Sequence, residues 1–421
     1  MNRFIYSALL YLLLPLIVLY LAFRSIKSPD YRSRWGERFG LAKLKQSDLL
    51  IHSVSMGETL AAIPLIKAIQ QRYPLMSITV TTTSPTGSAE VVKAFGASVQ
   101  HCYLPFDFSI CVARFLRQVS PKRIILMETE LWPNLIHQAS KLGVKLMLAN
   151  ARLSEKSALQ YSKRMSLSQP MLQSLNVIAA QSQQAADRFI NLGVSPSRVK
   201  VCGSLKFDLT IAEDKISQAK ILRQQWRNEN APIWVAGSVH PGEFDAMIKA
   251  HKRLLAYKSD ALLVMVPRHP EQFNAAAEKI IASGLSLARR SRQDKVSPNT
   301  QVLLGDTMGE LLTFYGAAEQ AFIGGTLIAN GGHNPLEPAA FGLPVYVGPN
   351  HWDSAEITCL LADAGALKVI VSADELAEEL IAKFNDKLIY QTASEASLRV
   401  VNTNKGALKQ QCELVCQLID S

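Results

Sequence analysis

The amino-acid sequence predicts an α/β protein built from two doubly wound domains. Short apolar runs, which are typical of buried strands, alternate with helical patterns along most of the chain. A polar, helical stretch at residues 214–229 interrupts this alternation, which then restarts. A chain of 421 residues is also long for a single hydrophobic core. We therefore expect two parallel sheets, each with helices on both of its faces.

An apolar segment precedes the first domain. Residues 4–23 carry no charged side chain, and a helix of that length spans about 30 Å, the thickness of one hydrocarbon core. No small-residue cleavage site follows the segment, so we expect an uncleaved membrane anchor rather than a signal peptide. Pro15 indicates a kink, or a segment that lies partly in the membrane interface.

Basic residues are denser after this segment than before it, where Arg3 and the amino terminus carry the positive charge. Because positive residues stay in the cytoplasm, the soluble part of the chain is expected there. The formal net charge of +10 suits an anionic membrane face and negatively charged substrates. No recognition motif or aromatic–basic interleaving supports nucleic-acid binding. The basic residues that follow the segment are Arg24, Lys27, Arg32, Arg34 and Arg38.

Most polar motifs of the chain follow the ends of predicted strands. In open α/β sheets the ligand lies at the carboxyl ends of the strands, so these motifs are the candidates for a site. The predicted strands are residues 48–54, 77–83, 123–127, 145–149, 177–180 and 199–201 in the first domain, and 232–236, 261–266, 301–304, 321–323 and 345–347 in the second.

The stretch 322–350 is the most informative of these motifs. An apolar strand meets a glycine pair at 324–325, and a second pair at 331–332 precedes a helix start. Glycines let a ligand approach the backbone, and helix-start amides attract anions. Glu337, in the first turn of that helix, could accept hydrogen bonds from ribose hydroxyls. The stretch therefore predicts a nucleotide pocket, and the alternative is a glycine-rich turn that binds nothing.

Carboxylates follow two predicted strands of the first domain. Glu58 lies at a helix start after the first strand, where it is either a general base or a helix-capping acid. Glu128 and Glu130 share another strand end with Trp132 and Asn134. A surface loop does not usually contain such a tryptophan, so we favour a functional role there, with Glu128 nearer the strand end than Glu130.

Cationic and imidazole side chains follow other strands. Lys206, at the domain junction, is either a ligand for a phosphate or carboxylate or an ordinary linker lysine. Arg268 offers a fork of donors that suits the same anions. His240 and His269 each adjoin a proline, and because their spacing fits no metal motif we favour hydrogen-bonding roles. The loop at residues 305–311 could close over a base with its backbone groups.

Several well-known motifs are absent from the sequence. There is no G-x-x-x-x-G-K-[ST], and no G-x-G-x-x-G follows the first strand, which argues against a P-loop enzyme and a dinucleotide dehydrogenase. No D-x-D triplet is present to hold a metal-bridged diphosphate. The absence of G-x-S-x-G argues against a hydrolase of the nucleophile-elbow type.

Taken together, the motifs resemble those of the 3-deoxy-D-manno-octulosonic acid (Kdo) transferases, which add Kdo to lipid A precursors in Gram-negative bacteria. The resemblance covers nearly the whole chain, including the apolar segment. It implies the GT-B fold of glycosyltransferases, in which two Rossmann-like domains face each other across a cleft. The motifs that carry the resemblance are residues 52–58, 127–134, 203–206, 267–270 and 334–337.

The resemblance also implies the reaction and its residues. Kdo would move with inversion from CMP-Kdo to the lipid A precursor lipid IV-A, without a catalytic metal or other cofactor. Glu58 would be the general base on the acceptor hydroxyl, and Glu128 and Lys206 would support the transition state. Anionic lipids of the inner membrane would be further partners. The residues expected to hold CMP are Pro267, Arg268, Met308, Gly309, Glu310, Asn334, Pro335, Leu336 and Glu337.

The expected division of the chain follows from the anchor, the strands and the resemblance. It consists of a membrane anchor at residues 1–30, an N-terminal acceptor-binding domain at 31–205, a linker at 206–230, a C-terminal CMP-sugar-binding domain at 231–390, and a C-terminal helix at 391–421 that can pack back on the N-terminal domain.

Two other functions are compatible with the sequence. The same fold could serve a sugar-nucleotide epimerase or a different lipid-linked glycosyltransferase. An anchored binding or scaffold protein with a degenerate pocket is the second alternative, and the intact carboxylates Glu58 and Glu128 argue against it.

Overall fold

The computed structural model describes residues 1–227 and 231–420, so the end of the predicted linker, 228–230, and residue 421 lie outside the described residues. The chain forms two compact units. The first consists of Met1–Asp208 together with the chain from Lys405 onward, and the second is Leu209–Asn404. Each unit contains one seven-stranded sheet.

The sheet of the first unit is parallel throughout. Its strands are β1 (Leu49–His52), β2 (Ile78–Thr82), β3 (Gln100–Tyr103), β4 (Arg123–Met127), β5 (Lys145–Ala151), β6 (Val177–Ala180) and β7 (Val199–Val201). They pair in the order β3-β2-β1-β4-β5-β6-β7. Every residue of β1 and β2 is buried, because helices cover both faces of the sheet.

The sheet of the second unit has the same character. Its strands are β8 (Ile233–Val239), β9 (Leu262–Pro267), β10 (Leu287–Arg289), β11 (Val302–Leu304), β12 (Gln320–Ile323), β13 (Val345–Val347) and β14 (Leu367–Val369). They are parallel, in the order β10-β11-β9-β8-β12-β13-β14. The two predicted parallel sheets are therefore confirmed.

Both sheets reverse their strand order at one point. In the first unit the chain builds outward from β1 to β3 and then restarts on the other side of β1 with β4. In the second unit it restarts beside β8 with β12. Ligands of open α/β sheets bind outside the carboxyl ends of the strands at such a point. The segments after these four strands are therefore the candidates for a functional site.

Helices pack on the sheets through apolar faces. In the helix Ser109–Val119, for example, Val112, Phe115, Leu116 and Val119 recur at helical spacing and are buried. The helices are α1 (Arg3–Lys27), α2 (Trp35–Arg38), α3 (Met56–Arg72), α4 (Pro85–Phe95), α5 (Ser109–Val119), α6 (Pro133–Lys141), α7 (Glu155–Ser162), α8 (Met165–Gln173), α9 (Gln183–Asn191), α10 (Glu213–Trp226), α11 (Phe244–Leu255), α12 (Phe273–Ala282), α13 (Leu311–Gly316), α14 (Leu336–Ala340), α15 (Ala355–Asp363), α16 (Ala373–Asn385), α17 (Lys387–Thr403) and α18 (Ala407–Asp420).

Much of the segment predicted as a linker folds as a helix of the second unit. Helix α10 buries Ala219, Leu222 and Trp226, and the Trp226 ring lies 5.8 Å from that of Phe314. The unit therefore begins at Leu209. The polar composition that suggested a linker belongs to the outer face of this helix, which is largely exposed.

The last two helices belong to different units. Helix α17 buries Ala393 and Ala396, and Ser397 Oγ donates a hydrogen bond to Leu343 O within the second unit. Helix α18 instead packs against α3 of the first unit. The return to the first unit therefore begins at Lys405, later than the boundary at residue 391 drawn from the sequence.

Helix α1 contains the apolar segment. It is continuous through Pro15, and with a mean hydropathy of 2.3 over its most apolar window it is long and apolar enough to cross a membrane. One face of the helix is less exposed than the other. The residues of the less exposed face recur every three or four positions, at Tyr6, Leu10, Leu14, Ile17, Leu21 and Ser25.

Gln411 joins α18 to the strand ends of the first unit. Its Oε1 accepts a hydrogen bond from Asn150 N at 2.8 Å, and its Nε2 donates to Gly203 O at 3.2 Å. The Gln411 side chain is fully buried. Leu205 N donates to Asn150 Oδ1 at 3.0 Å, so the same contacts fix the segment that precedes Lys206.

Replacing Gln411 by alanine is expected to lower the free energy of unfolding by about 2–4 kcal/mol, because two buried backbone groups lose their partners and a cavity remains. Urea denaturation measures the change. Gln410→Ala, at an exposed position of the same helix, is the control and is expected to be nearly neutral. Equal stabilities of the two variants would contradict the role given to Gln411.

Candidate active site

Glu58 lies in the first turn of α3, directly after β1. Ser55 Oγ accepts a hydrogen bond from Glu58 N, and the Glu58 carboxylate accepts one from Ser55 N in return, which forms a capping box. Val54 N and Ser55 Oγ also donate to the carboxylate, each at 2.8 Å. The helix-capping role that the sequence left open is therefore present.

The capping role leaves the Glu58 carboxylate room for a second partner. A carboxylate offers about four acceptor positions. The capping hydrogen bonds occupy two acceptor positions on Oε1 and one on Oε2. Within the described residues, the second acceptor position on Oε2 has no donor. Burial raises the pKa of Glu58, and the nearby Glu128 carboxylate acts in the same direction, against the capping bonds. A higher pKa makes this carboxylate a stronger base.

Glu128 follows β4, the strand next to β1. Its φ of 53° is in the left-handed region, which is strained for a residue with a Cβ and recurs at functional sites. Its Oε1 lies 3.6 Å from Lys206 Nζ. Because Glu128 also acts electrostatically on Glu58, the structure brings the three predicted catalytic residues together in the first unit.

Glu130 belongs to the same group of carboxylates, although the sequence analysis favoured Glu128 as the functional residue of this segment. Burial, followed by the charge of Glu58, raises the pKa of Glu130 to about 7. This carboxyl group therefore binds a proton more readily than an exposed glutamate does. Its position two residues after Glu128 at a strand end is the only signal that the sequence offers.

The chain around Lys206 is held on both sides. Asp208 accepts hydrogen bonds from Gly406 N at 2.7 Å and from Leu408 N at 2.6 Å, at the start of α18. Before Lys206, Leu205 N is bound by the Asn150 side chain. The returning C-terminal chain therefore fixes the backbone around Lys206.

The second unit brings Arg268 and Glu337 close together. Arg268 N donates to Val239 O at 2.9 Å, which holds the residue beside the end of β8. No group in the described part of the chain makes a hydrogen bond or ion pair with its guanidinium. Burial raises the pKa of Glu337 to about 7, and Arg268 acts in the opposite direction. A cation and a carboxyl group are thus available to a ligand.

The predicted strand, glycine loop and helix start are confirmed as β12, residues 324–335 and α14. Gly324 packs so closely on β8 that a Cβ there would lie 2.2 Å from Ser238 O. Since α14 has only five residues, an anion here would depend on individual N–H groups rather than on a long helix dipole. The loop glycines with positive φ, which side chains rarely adopt, are Gly325, Gly331 and Gly332.

Glu243 fixes this loop, and the sequence gave no indication of its role. Its carboxylate, which is fully buried, accepts hydrogen bonds from Gly325 N at 2.7 Å and from Thr326 N and Leu327 N at 3.0 Å each. It also accepts one from His240 N at 3.0 Å. These backbone donors take the place of water, so Glu243 ties the loop after β12 to the end of β8.

In the loop between β11 and α13, the backbone is accessible, while the Glu310 carboxylate is paired with Arg290. Arg290 Nη2 lies 2.7 Å from Glu310 Oε1, and this hydrogen bond lowers the pKa of Glu310. Gly309 has a φ of 82°, and Met308 is exposed. The Glu310 side chain therefore stabilises the loop, while Met308 and the backbone around Gly309 remain accessible.

The remaining predicted residues lie at the end of β9 and in the segment that leads into α14. Pro267 is the last residue of β9. Asn334 Oδ1 accepts from Leu336 N at 3.1 Å, while Pro335 and Leu336 are buried. Within the described residues, no group of three His, Cys, Asp or Glu side chains is arranged to hold a metal ion.

The chain is similar to known proteins along its whole length. A profile of the 3-deoxy-D-manno-octulosonic-acid transferase (kdotransferase) family matches residues 33–209. The 3-deoxy-D-manno-octulosonic acid transferase of Haemophilus influenzae is 41% identical over 99% of this chain and 98% of its own. The transferase of the same name from Bordetella pertussis is 32% identical over 97% of this chain and 98% of its own.

A solved structure supports the fold. The UDP-GlcNAc 2-epimerase from Neisseria meningitidis, bound to UDP-GlcNAc, aligns with a TM-score of 0.60 over 87% of this chain and 99% of its own. At 13% sequence identity this likeness concerns the fold alone.

The fold and the side chains at the strand ends define an enzyme of the GT-B glycosyltransferase class. Within that class, the identity with the Haemophilus influenzae protein over nearly the full length of both chains is specific. The chain belongs to the 3-deoxy-D-manno-octulosonic acid transferase family, and its activity is the transfer of Kdo.

Replacing Glu243 by glutamine is expected to lower the free energy of unfolding by about 1–3 kcal/mol, because an amide NH₂ group would face backbone N–H donors. The loop after β12 should loosen, so affinity for CMP should fall as well. Thermal denaturation and calorimetric titration with CMP measure the two effects. The control is Glu271→Gln at an exposed position, and a Glu243 variant that behaves like it would contradict the role of the buried carboxylate.

Proposed function

We propose that the protein is a membrane-anchored inverting glycosyltransferase that moves Kdo from CMP-Kdo to a lipid A precursor. The observation that carries this proposal is the Glu58 carboxylate, which lies at the reversal point of the first sheet with an open acceptor position and a raised pKa. Family membership supplies the sugar, the family resemblance supplies the proposed donor and acceptor, and the roles of the residues are inferred from the site.

The donor half of the reaction is assigned to the second unit. The CMP leaving group carries a single phosphate, whose charge the guanidinium of Arg268 can balance without a metal ion. The segments around Met308 and from Asn334 to Glu337 surround the same strand ends, and the Glu337 carboxyl group can bind ribose hydroxyls. We therefore propose a reaction that needs no metal and no other cofactor.

The chemical step is assigned to the first unit. In a single displacement the acceptor hydroxyl attacks the anomeric carbon of Kdo, its proton passes to Glu58, and the bond to the phosphate of CMP breaks. Such a step needs one base and no nucleophilic residue. Lys206, held 3.6 Å from Glu128, would stabilise negative charge in the transition state, and Glu128 would position it.

The lipid nature of the proposed acceptor agrees with the features of α1. Its N-terminal part is docked on the first unit, since Tyr6 Oη donates to Asp107 Oδ2 at 3.1 Å and Ser7 Oγ donates to Asn134 Oδ1 at 3.0 Å. Its outward face is apolar and exposed. That face would enter the cytoplasmic leaflet of the inner membrane, where anionic lipids attract the basic chain. Its exposed residues include Phe4, Leu9, Leu12, Leu16, Leu19 and Phe23.

Incubation of the enzyme with CMP-Kdo and purified lipid IV-A tests this function directly. Mass spectrometry of the lipid should reveal added Kdo residues and their number, and the yield should be unchanged by EDTA. UDP-GlcNAc in place of CMP-Kdo is the control and should leave the lipid unmodified. An unmodified lipid with CMP-Kdo would exclude this acceptor, and inhibition by EDTA would exclude the metal-independent mechanism.

Glu58→Gln should reduce transfer by at least about 10²-fold, because the amide cannot accept the proton of the hydroxyl. Wild-type activity should fall as the pH drops through the raised pKa of Glu58, since only the ionised carboxylate is a base. Initial rates of Kdo transfer at several pH values measure both effects. The amide keeps one acceptor oxygen for the capping bonds, and Glu58 is not among the residues assigned to CMP. The affinity for CMP should therefore be unchanged. Near-normal transfer by the variant would refute the assignment of Glu58 as the base.

A further inference from the structure

Three imidazoles gather at the strand ends of the second unit, beside Arg268. His240 follows β8, His269 follows β9, and His333 lies in the loop after β12. The rings of His240 and His333 are nearly parallel, with centroids 5.5 Å apart, and their Nε2 atoms are 3.2 Å apart. The ring of His269 meets that of His240 edge-on at 5.8 Å.

The Nε2 atoms of His240 and His333 are close enough to share one hydrogen bond, at 3.2 Å, whose direction depends on the ring tautomers. Asn330 Nδ2, 3.1 Å from His240 Nε2, favours the tautomer in which that nitrogen carries no hydrogen and His333 Nε2 donates to it. A second proton on His333 would go to Nδ1, which leaves the contact between the rings intact and creates a new cationic donor.

The charges around the cluster are unbalanced. Arg268 and His269 act on both His240 and His333. The Glu243 carboxylate reaches His240 through its backbone N–H and is saturated by other backbone donors. The Glu337 carboxyl group lies near Arg268, and burial raises its pKa to about 7. Burial, followed by Arg268 and the two other histidines, lowers the pKa of His333 to about 4. Burial, followed by His269 and Arg268, lowers the pKa of His240 as well. The imidazoles of His240 and His333 are therefore uncharged at neutral pH.

We infer that His240, His269 and His333 form, with Arg268, an anion-binding subsite that takes a negatively charged group of the donor. This inference rests on the proposed use of a CMP-linked sugar acid. Such a donor carries two anions of suitable chemistry, the phosphate of CMP and the carboxylate of the sugar. His333 is the positioning residue of the subsite, because its Nδ1 can become a charged donor without breaking the contact to His240.

Binding at this subsite is coupled to proton uptake. An anion beside His240 and His333 favours their charged form, so it raises their lowered pKa values. The protein therefore takes up protons as the anion binds, and affinity increases as the pH falls through the raised pKa values of the anion-bound imidazoles. A subsite made only of Arg268 would show neither effect, since a guanidinium does not titrate in this range.

Calorimetric titration of the full-length protein with CMP, in buffers of different ionisation enthalpy at pH 6, measures the protons taken up. Titration of the phosphate of CMP is common to all variants, so the difference between wild type and His333→Gln isolates the imidazole. If the cluster holds the phosphate, we expect wild type to take up more protons than this variant. His137→Gln, at an exposed position on α6, is the control and should match wild type.

The steady-state KM for CMP-Kdo then distinguishes the two anions. If the cluster holds the phosphate, His333→Gln should weaken CMP binding and raise the KM by about tenfold, and the proton difference should appear with CMP. If it holds the sugar carboxylate, CMP binding should be unchanged, and only the KM and its pH dependence should change. In either case the kcat of His333→Gln at saturating donor should change little. A melting temperature of the variant well below that of wild type would indicate a folding defect.

The inference is overturned if the folded variant binds CMP with wild-type affinity and also retains the wild-type KM and pH profile. This outcome is separate from a failure of the proposed function, because wild-type transfer to lipid IV-A is measured in the same assay. If the wild-type enzyme transfers Kdo and the His333→Gln variant behaves like it, the proposed subsite is refuted and the proposed function is retained.

Discussion

The parallel pairing of the strands is the constraint on which the rest of the structure depends. In a parallel sheet every strand ends at the same edge, so residues distant in sequence, such as Glu128 and Lys206, meet there without a direct connection. The reversal of strand order between β1 and β4 brings Glu58 and Glu128 to neighbouring strand ends. The reversal between β8 and β12 brings the end of β8 next to the glycine loop. Glu243 accepts hydrogen bonds from both segments.

The two units surround their strand ends with opposite charge. In the first unit Glu58, Glu128 and Glu130 lie together, and burial raises the pKa values of Glu58 and Glu130. Such a group suits the acceptance of a proton. In the second unit Arg268 lies among imidazoles, while the nearby Glu243 carboxylate is occupied by backbone donors. Such a group suits an anion, so the two units differ in the charge of the groups at their strand ends.

The sequence was sufficient to predict the central strands and the residues that follow them, because buried strands appear in the sequence as continuous apolar runs. It missed β3, β10 and β14, which are all edge strands, short and partly exposed, with polar residues such as Gln100, Arg289 and Lys368. The role of Glu243 could not be predicted either. Its partners are backbone N–H groups some 82–84 positions away, and a contact of that kind leaves no pattern in side-chain types.

The proposed anchor and the proposed catalytic segment share one buried group of hydrogen bonds. Asp107 accepts from Asn134 N at 2.8 Å and Leu135 N at 2.9 Å, and Tyr6 of α1 donates to the same carboxylate. Asn134 lies in the first turn of α6, which directly follows the segment from Glu128 to Trp132. Its Oδ1 receives hydrogen bonds from Arg3 and Ser7 of α1 and is otherwise surrounded by protein. The helix that offers an apolar face to a membrane is therefore also a structural part of the unit that holds Glu58.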